Sequence, residues 1–286
     1  MTTLRGRALV GWMDRDAAIR FLLNDCAFDP PIDLNAAERL WNEHRDRVSA
    51  LQPRQYAPAI QHGLTIAEAG HVKRLMAYFA GIGHADITGA KKVDLRELSV
   101  HQYHVVTERA EDYAKKVGDS QQWLSECLPL TPNTGNFGWR HQPLGLSAYI
   151  ECDVPHGEWF FAPLGNGSFA PVEGLRHVTA MDAPGRTFLW AGYHRSFAKV
   201  LTTPIANAPT ALLVFARNVI APPAAPAVKP GVPMNAGGDD FSFFGAKAAK
   251  FGDFFTDGLF MDVNLRKKRY QLQVHANWVA IDDPTP

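Results

Sequence analysis

Cysteine is scarce in this sequence. Cys26, Cys127 and Cys152 are the only three among 286 residues, and no two of them form a CxxC pair. This excludes a disulfide framework and a paired-cysteine zinc or redox motif, and it predicts reduced thiols in a cytoplasmic protein. Long apolar runs are also missing, since Asp14 and Arg15 interrupt the N-terminal stretch early. No segment approaches the roughly 20 apolar residues of a membrane helix, so we expect neither secretion nor membrane insertion.

Net charge is absent as well. Twenty-nine basic residues balance 29 acidic ones, which excludes a general attraction to nucleic acids or membranes. The one dense basic run consists of Arg266, Lys267, Lys268 and Arg269. It would be the place for nucleic acid to contact the chain through its phosphates. The alternative is a solvated turn or a protected edge strand, which often carries lysine.

Hydrophobic residues make up 46% and charged residues 20% of the chain, as in an ordinary globular protein. Residues 1–90 are predicted to form a helical region. Apolar residues recur at helical spacing over 33–51, and Pro53 ends that pattern. Thr65 and Glu68 have the spacing of a capping box, and Gly81 ends the helix that follows.

A strand-containing core is predicted for residues 91–218. Val93 and Leu98 mark a short strand and its exit turn, and Thr107 is expected to cap a helix that extends to Val117. A second short helix is predicted over 119–128, and several strands over 146–216. A proline- and glycine-rich linker over 219–245 precedes a helix and a long strand in 246–286. The fold class expected from these elements is α+β.

One turn in this core combines features suited to an anion. A strand, Arg186–Trp190, leads into Gly192, and a helix is predicted to begin directly after it. The first amides of a helix lack internal partners and carry partial positive charge, and glycine allows close approach of a ligand to the backbone. His194 and Arg195 add donors suited to phosphate oxygens. The same pattern also occurs in turns that bind nothing.

The segment Ala191-Gly192-Tyr193-His194-Arg195 resembles the second signature of the ParB/sulfiredoxin-like superfamily. Residues 93–99 and 107–113 are similar to that superfamily's opening strand, loop and helix, so the resemblance spans about 92–217. It implies a mixed-sheet core in which a Gly-x-His-Arg turn binds nucleotide phosphates. The residues it assigns to that role are Gly192, Tyr193, His194, Arg195 and Ser196.

The chain departs from this superfamily in three ways. Sulfiredoxins have a catalytic cysteine immediately before the His-Arg pair, where this sequence has Tyr193. Chromosome-partitioning members continue with a helix-turn-helix DNA-binding domain, where this sequence has the proline-rich linker. A long, strand-rich insertion over about 129–181 separates the two matching halves. Sulfinate repair and centromere binding are therefore not expected.

A second group of candidates lies in the loop that the resemblance places on the other side of the site. His101 and His104 are three residues apart, with Glu97 and Glu108 on either side. Such residues supply general bases or metal ligands, and the resemblance to metal-dependent free-serine kinases implies a carboxylate base at Glu97 or Glu108. The alternative is that both histidines bond to backbone in a turn.

The leading hypothesis is a nucleotide-binding protein that takes ATP or CTP with Mg²⁺, and a phosphotransferase or a nucleotide hydrolase is the kind of enzyme compatible with it. One alternative is a non-catalytic module with the same fold that binds nucleic acid or protein. Another is a metalloenzyme built on the scattered histidines His141, His156 and His177. The sequence is compatible with a homodimer and does not identify metal ligands.

Overall fold

The fold was analysed in a computed structural model of the chain. It describes residues 3–81, 86–117, 119–130, 139–141, 147–152, 159–163, 169–173, 177–204, 206–217, 240–266 and 270–275. The chain divides into two compact units. Unit 1 comprises residues 1–130 and 176–266, and unit 2 comprises 131–175 and 267–286. Unit 2 therefore contains most of the predicted insertion together with the end of the chain.

Helices and strands are both well represented in the described residues, and the fold is α+β, as predicted. The helices are α1 (Arg15–Arg20), α2 (Leu34–Ser49), α3 (Ile66–Gly81), α4 (Thr107–Ala114), α5 (Ser120–Cys127) and α6 (Tyr193–Thr202). Short 3₁₀ segments occur at Val10–Trp12, Leu95–Glu97 and Phe251–Phe255, and a π-helical turn, Phe21–Asp25, follows α1. None of the helices in the described part of the chain is both long enough and apolar enough to cross a membrane.

The strands of unit 1 form two sheets. The first four are β1 (Thr3–Ala8), β2 (Ile87–Asp94), β3 (Ser99–Val100) and β4 (His104–Val106). The other four follow the strands of unit 2 in the chain and are β9 (Thr179–Ala183), β10 (Arg186–Ala191), β11 (Thr210–Ala216) and β12 (Met261–Arg266). One sheet is antiparallel with the order β12-β1-β4, and the other is mixed with the order β2-β11-β9-β10-β3.

Unit 2 contains the remaining strands. They are β5 (Trp139–His141), β6 (Ser147–Cys152), β7 (Trp159–Pro163), β8 (Phe169–Glu173) and β13 (Tyr270–His275). One sheet has the order β13-β6-β5, and β7 pairs with β8. Both are antiparallel. β13 thus lies within the long strand predicted near the C-terminus, and it pairs with β6 of the insertion.

The N-terminal region is less purely helical than predicted. β1 is the central strand of the three-stranded sheet, with Ala8 opposite both Met261 of β12 and His104 of β4. Gly6 permits this pairing, because a Cβ there would lie 2.8 Å from the Val105 carbonyl oxygen. The end of β1 therefore belongs to the core through contacts with segments far away in sequence.

Four of the helices begin with side-chain caps. Asp14, Asp33 and Asp119 accept the amide hydrogen bonds that cap α1, α2 and α5. The predicted capping box of α3 is confirmed: Thr65 Oγ1 accepts from the Glu68 amide at 3.2 Å, and Glu68 Oε2 accepts from the Thr65 amide at 2.8 Å. Such caps satisfy amides that the helix leaves unpaired.

Other local predictions need correction. Thr107 does not cap α4: the N-cap is Val106, and the helix ends at Ala114 rather than at Val117. The helix predicted after residue 246 is only the 3₁₀ segment Phe251–Phe255, whose phenylalanines pack into the core. The predicted linker over 219–245 and the basic residues 267–269 lie outside the described residues, apart from 240–245.

The segment 240–266 is bound to the rest of unit 1 by the buried Arg186 and the half-buried Arg54. Arg186 donates to the Phe243 carbonyl at 2.6 Å and to the Phe244 carbonyl at 3.1 Å. Arg54 forms a bidentate ion pair with Asp253, with N···O distances of 2.7 and 2.9 Å. The Asp253 side chain is only 7% exposed, so its carboxylate depends on this partner.

We expect Arg54→Met to lower the free energy of unfolding by about 3 kcal/mol, because it leaves the Asp253 carboxylate buried without its partner. The matched control is Arg47→Met, which removes an arginine from an exposed i,i+4 pair with Glu43 on α2. That change should cost only about 0.5 kcal/mol. Urea denaturation measures both values, and equal losses in the two variants would contradict the assigned role of Arg54.

Candidate functional site

The turn between β10 and α6, residues 191–196, is called the Gly192 turn. Gly192 has a φ of 89°, in the left-handed region that favours glycine. A Cβ at Gly192 would lie 2.7 Å from Val178 Cγ2 and 3.0 Å from Val178 Cα. The space beside the glycine is therefore filled by the protein itself. The prediction that Gly192 lets a ligand approach the backbone at this point is wrong. Val178 occupies that space.

Tyr193 points inward and is 3% exposed. Its hydroxyl donates to the Leu189 carbonyl at 2.9 Å and accepts from the amides of His101 at 3.0 Å and Gln102 at 3.2 Å. Burial raises the pKa of this hydroxyl well above its usual range, so it remains a donor at neutral pH. Tyr193 therefore joins the loop after β3 to β10, and its hydroxyl faces the protein rather than a ligand.

His101 lies beside the Gly192 turn, as the resemblance implies. Its Nε2 is 2.9 Å from the carbonyl oxygen of Trp190, and because a carbonyl only accepts, Nε2 carries a proton. The His101 and Trp190 rings are 4.7 Å apart between centroids. Trp190 was not selected from the sequence. The sequence did contain a signal for it, because Trp190 ends the predicted strand that leads into Gly192.

His194 connects the start of α6 with the junction between β4 and α4. Its Nε2 accepts a hydrogen bond of 3.3 Å from the Val106 amide, so in this arrangement Nε2 is unprotonated. His104 is the first residue of β4, and its ring lies 5.3 Å from the Phe21 ring between centroids. Both histidines thus have contacts within the fold at the positions where a site was predicted.

The two candidate carboxylates belong to ion pairs. Glu97 accepts from Lys250 Nζ at 2.6 Å, and its side chain is 62% exposed. Glu108 accepts from the Arg5 backbone amide at 3.1 Å, and Arg5 Nε lies 3.5 Å from the same oxygen. The hydrogen bonds found for these two residues lead to Lys250 and Arg5, and not to the Gly192 turn. Their geometry gives no direct support for either as a general base.

The last two residues of the turn differ sharply. Ser196 is completely buried, and its Oγ has no hydrogen-bond partner among the described residues. Arg195 is half-buried, and no ion pair or hydrogen bond of its guanidinium is found within the described part of the chain. Its charge acts on the Cys127 thiol, whose pKa burial raises to about 12. Arg195 is therefore the turn residue best placed to meet an anion.

The start of α6 keeps features of an anion site despite these internal contacts. Within the described structure, neither α4 nor α6 has a side-chain cap, in contrast to the four capped helices. β3 is parallel to β10, with Ser99 opposite Phe188, so both halves of the resemblance meet in one place. The first amides of α6 and the guanidinium of Arg195, the third residue of the helix, are donors of the kind that suit an oxyanion.

The structure gives less support to a metal centre. His71 and His177 direct Nε2 to the carbonyls of Leu128 and Pro129, at 2.8 and 2.7 Å. Among the described residues, there is no group of three or more histidine, cysteine, aspartate or glutamate side chains that could hold a metal. The side chains of His141 and His156 lie outside those residues, as do Lys267, Lys268 and Arg269 of the basic run.

Tyr193→Phe is expected to lower the free energy of unfolding by about 2 kcal/mol, since it leaves the His101 and Gln102 amides without their buried acceptor. Hydrogen exchange of those two amides should accelerate beyond the global change. Tyr113→Phe on α4 serves as the control, because Tyr113 is half-buried and no hydroxyl bond is found for it among the described residues. Unchanged exchange at residues 101 and 102 would refute the assigned network.

Comparison of the whole chain with protein-family models, curated proteins and solved structures found no match. The resemblance to the ParB/sulfiredoxin-like superfamily therefore has no support from these comparisons, and the site must be judged on its own geometry.

Proposed function

We propose that this protein binds a nucleotide through its phosphate groups at the start of α6. The observation that carries the proposal is the position of Arg195. It is the third residue of α6, it is half-buried, and no ion pair is found for it within the described residues. A cation beside uncapped helix amides is an arrangement that favours phosphate.

The topology supports the same location. Because β3 and β10 are parallel neighbours, the loop that follows β3 and the turn that follows β10 leave the sheet at the same edge. Ligands of open sheets that contain parallel strands commonly bind beyond the carboxyl ends of those strands. His101 and His194 line this edge, and their contacts with Trp190 and Val106 fix the positions of their rings.

The set of phosphate-binding groups is narrower than the sequence predicted. Tyr193 and Ser196 are buried, and Val178 fills the space beside Gly192. The proposal therefore assigns binding to the first amides of α6, to Arg195 and to the accessible part of His194. ATP and CTP remain the candidate nucleotides, with Mg²⁺ bound to their phosphates. A cytoplasmic location is part of the proposal, and the free, buried thiols of Cys26 and Cys127 are consistent with it.

The proposal is for binding and does not include turnover. Phosphoryl transfer requires a group that positions the nucleophile, together with charge neutralisation at the reacting phosphate. Glu97 and Glu108, the predicted bases, pair with Lys250 and Arg5. A phosphotransferase or hydrolase would need one of these ion pairs to open, and a phosphate-release assay with ATP and Mg²⁺ tests that step separately.

Arg195→Ala should weaken nucleotide binding roughly tenfold or more, because hydrogen bonds to charged groups contribute about 1.5–3 kcal/mol. Isothermal titration with ATP and with CTP, each with and without Mg²⁺, measures this change. Arg74→Ala, on the exposed side of α3, is the matched loss of one positive charge and should leave the affinity unchanged. If neither nucleotide binds, or if both variants lose affinity equally, the proposal fails.

A further inference from the structure

A cleft lies beside the C-terminal end of α6. This cleft of about 250 Å³ opens between the end of α6, the start of α5, α3 and the paired strands β2 and β11. At ~30 Å³ for each water, it has room for about eight water molecules, and so for a small metabolite. The cleft lies entirely within unit 1 and is called the Lys199 cleft.

Lys92 and Glu68, which both line the Lys199 cleft, form an ion pair with each other. Lys92 Nζ lies 2.9 and 3.2 Å from the two oxygens of Glu68, whose side chain is only 4% exposed. Burial favours the neutral form of Glu68, but the Thr65 amide and Lys92 bind the carboxylate, and together they hold its pKa below the usual range. Glu68 therefore stays ionised and neutralises Lys92, so this pair adds no net charge to the cleft.

Lys199 is different, because no direct partner of its charge is found among the described residues. It is half-buried in the last turn of α6 and lines the cleft, and no hydrogen bond or ion pair of its Nζ is found among the residues described. Burial lowers the pKa of Lys199; Lys92 adds to this, while the carboxylates of Asp119 and Glu68 act in the other direction. The Asp119 carboxylate already accepts the Gln122 amide at 2.7 Å as the cap of α5.

The rest of the lining indicates what could compensate Lys199. Trp123 and Leu212 are buried residues of the lining, and the Trp123 indole donates to the Leu212 carbonyl at 2.9 Å. Ser120 and Asn207, both exposed, add polar groups at the rim. The cleft thus combines one uncompensated cation, a small volume and an apolar part. These features suit a ligand with a single negative charge and a short apolar chain.

We propose that the Lys199 cleft binds a small monocarboxylate, whose carboxylate pairs with Lys199 Nζ and whose carbon chain lies against Trp123 and Leu212. This site is separate from the nucleotide site proposed at the start of α6. A nucleotide would bring several charges and a volume that the cleft does not accommodate. A short organic acid carries one negative charge, which matches the single positive charge of Lys199.

The test uses butyrate as the probe and butyramide as its uncharged counterpart of nearly the same shape. The ¹H–¹⁵N indole signal of Trp123, assigned with Trp123→Phe, is followed during each titration at constant ionic strength. Butyrate should shift this signal in a saturable way, and butyramide should not. Lys199→Met keeps the length of the side chain but removes its charge, and it should weaken butyrate binding at least about tenfold.

Two controls make the outcome decisive. Lys115→Met removes an exposed lysine at the C-cap of α4 and should bind butyrate like the unaltered protein. Arg195→Ala should also retain the butyrate response while losing nucleotide affinity, which separates this inference from the proposed function. Equal shifts with butyrate and butyramide, no shift with butyrate, or full butyrate binding by Lys199→Met would each overturn the inference.

Discussion

The buried hydroxyl of Tyr193 holds the central part of this fold together. It is bonded to the Leu189 carbonyl of β10 and to the amides of His101 and Gln102, so one oxygen atom serves three backbone groups from two distant segments. The short pairing between β3 and β10 contributes few hydrogen bonds by itself. Tyr193 therefore fixes the loop after β3 against the start of α6, and the positions of His101 and Arg195 depend on it.

Local patterns predicted the elements of this region well. The capping box at Thr65 and Glu68 is present as expected, and β11 lies in the region 146–216 where strands were predicted, because caps and strand patterns are determined within a few residues of sequence. β12 was not predicted, although its residues Met261, Val263 and Leu265 alternate with polar ones. Its partner, β1, lies about 255 residues away, and no local pattern shows that such a partner exists.

The candidate site was harder to predict, for a related reason. Glycine, tyrosine and histidine at a strand–helix turn suit a ligand and suit internal packing equally well. Val178 lies against Gly192, and the Val106 amide binds His194. Both contacts come from other segments, so the sequence of the turn could not distinguish the two uses. Lys199 had the opposite problem, since a single lysine near the end of a helix is unremarkable until its surroundings are known.

The two ends of α6 share one electrostatic constraint. The charges of Arg195 and Lys199, one helical turn apart, both act on the Cys127 thiol. Burial raises the pKa of that thiol to about 12, so it stays neutral and cannot compensate either cation. Half-buried cations lose part of their hydration, and no direct ion-pair partner of either cation is found within the described part of the chain to offset this loss. An anion from solution would pair with Arg195 or with Lys199 and offset this lost hydration. For this physical reason, we expect ligands to bind at α6.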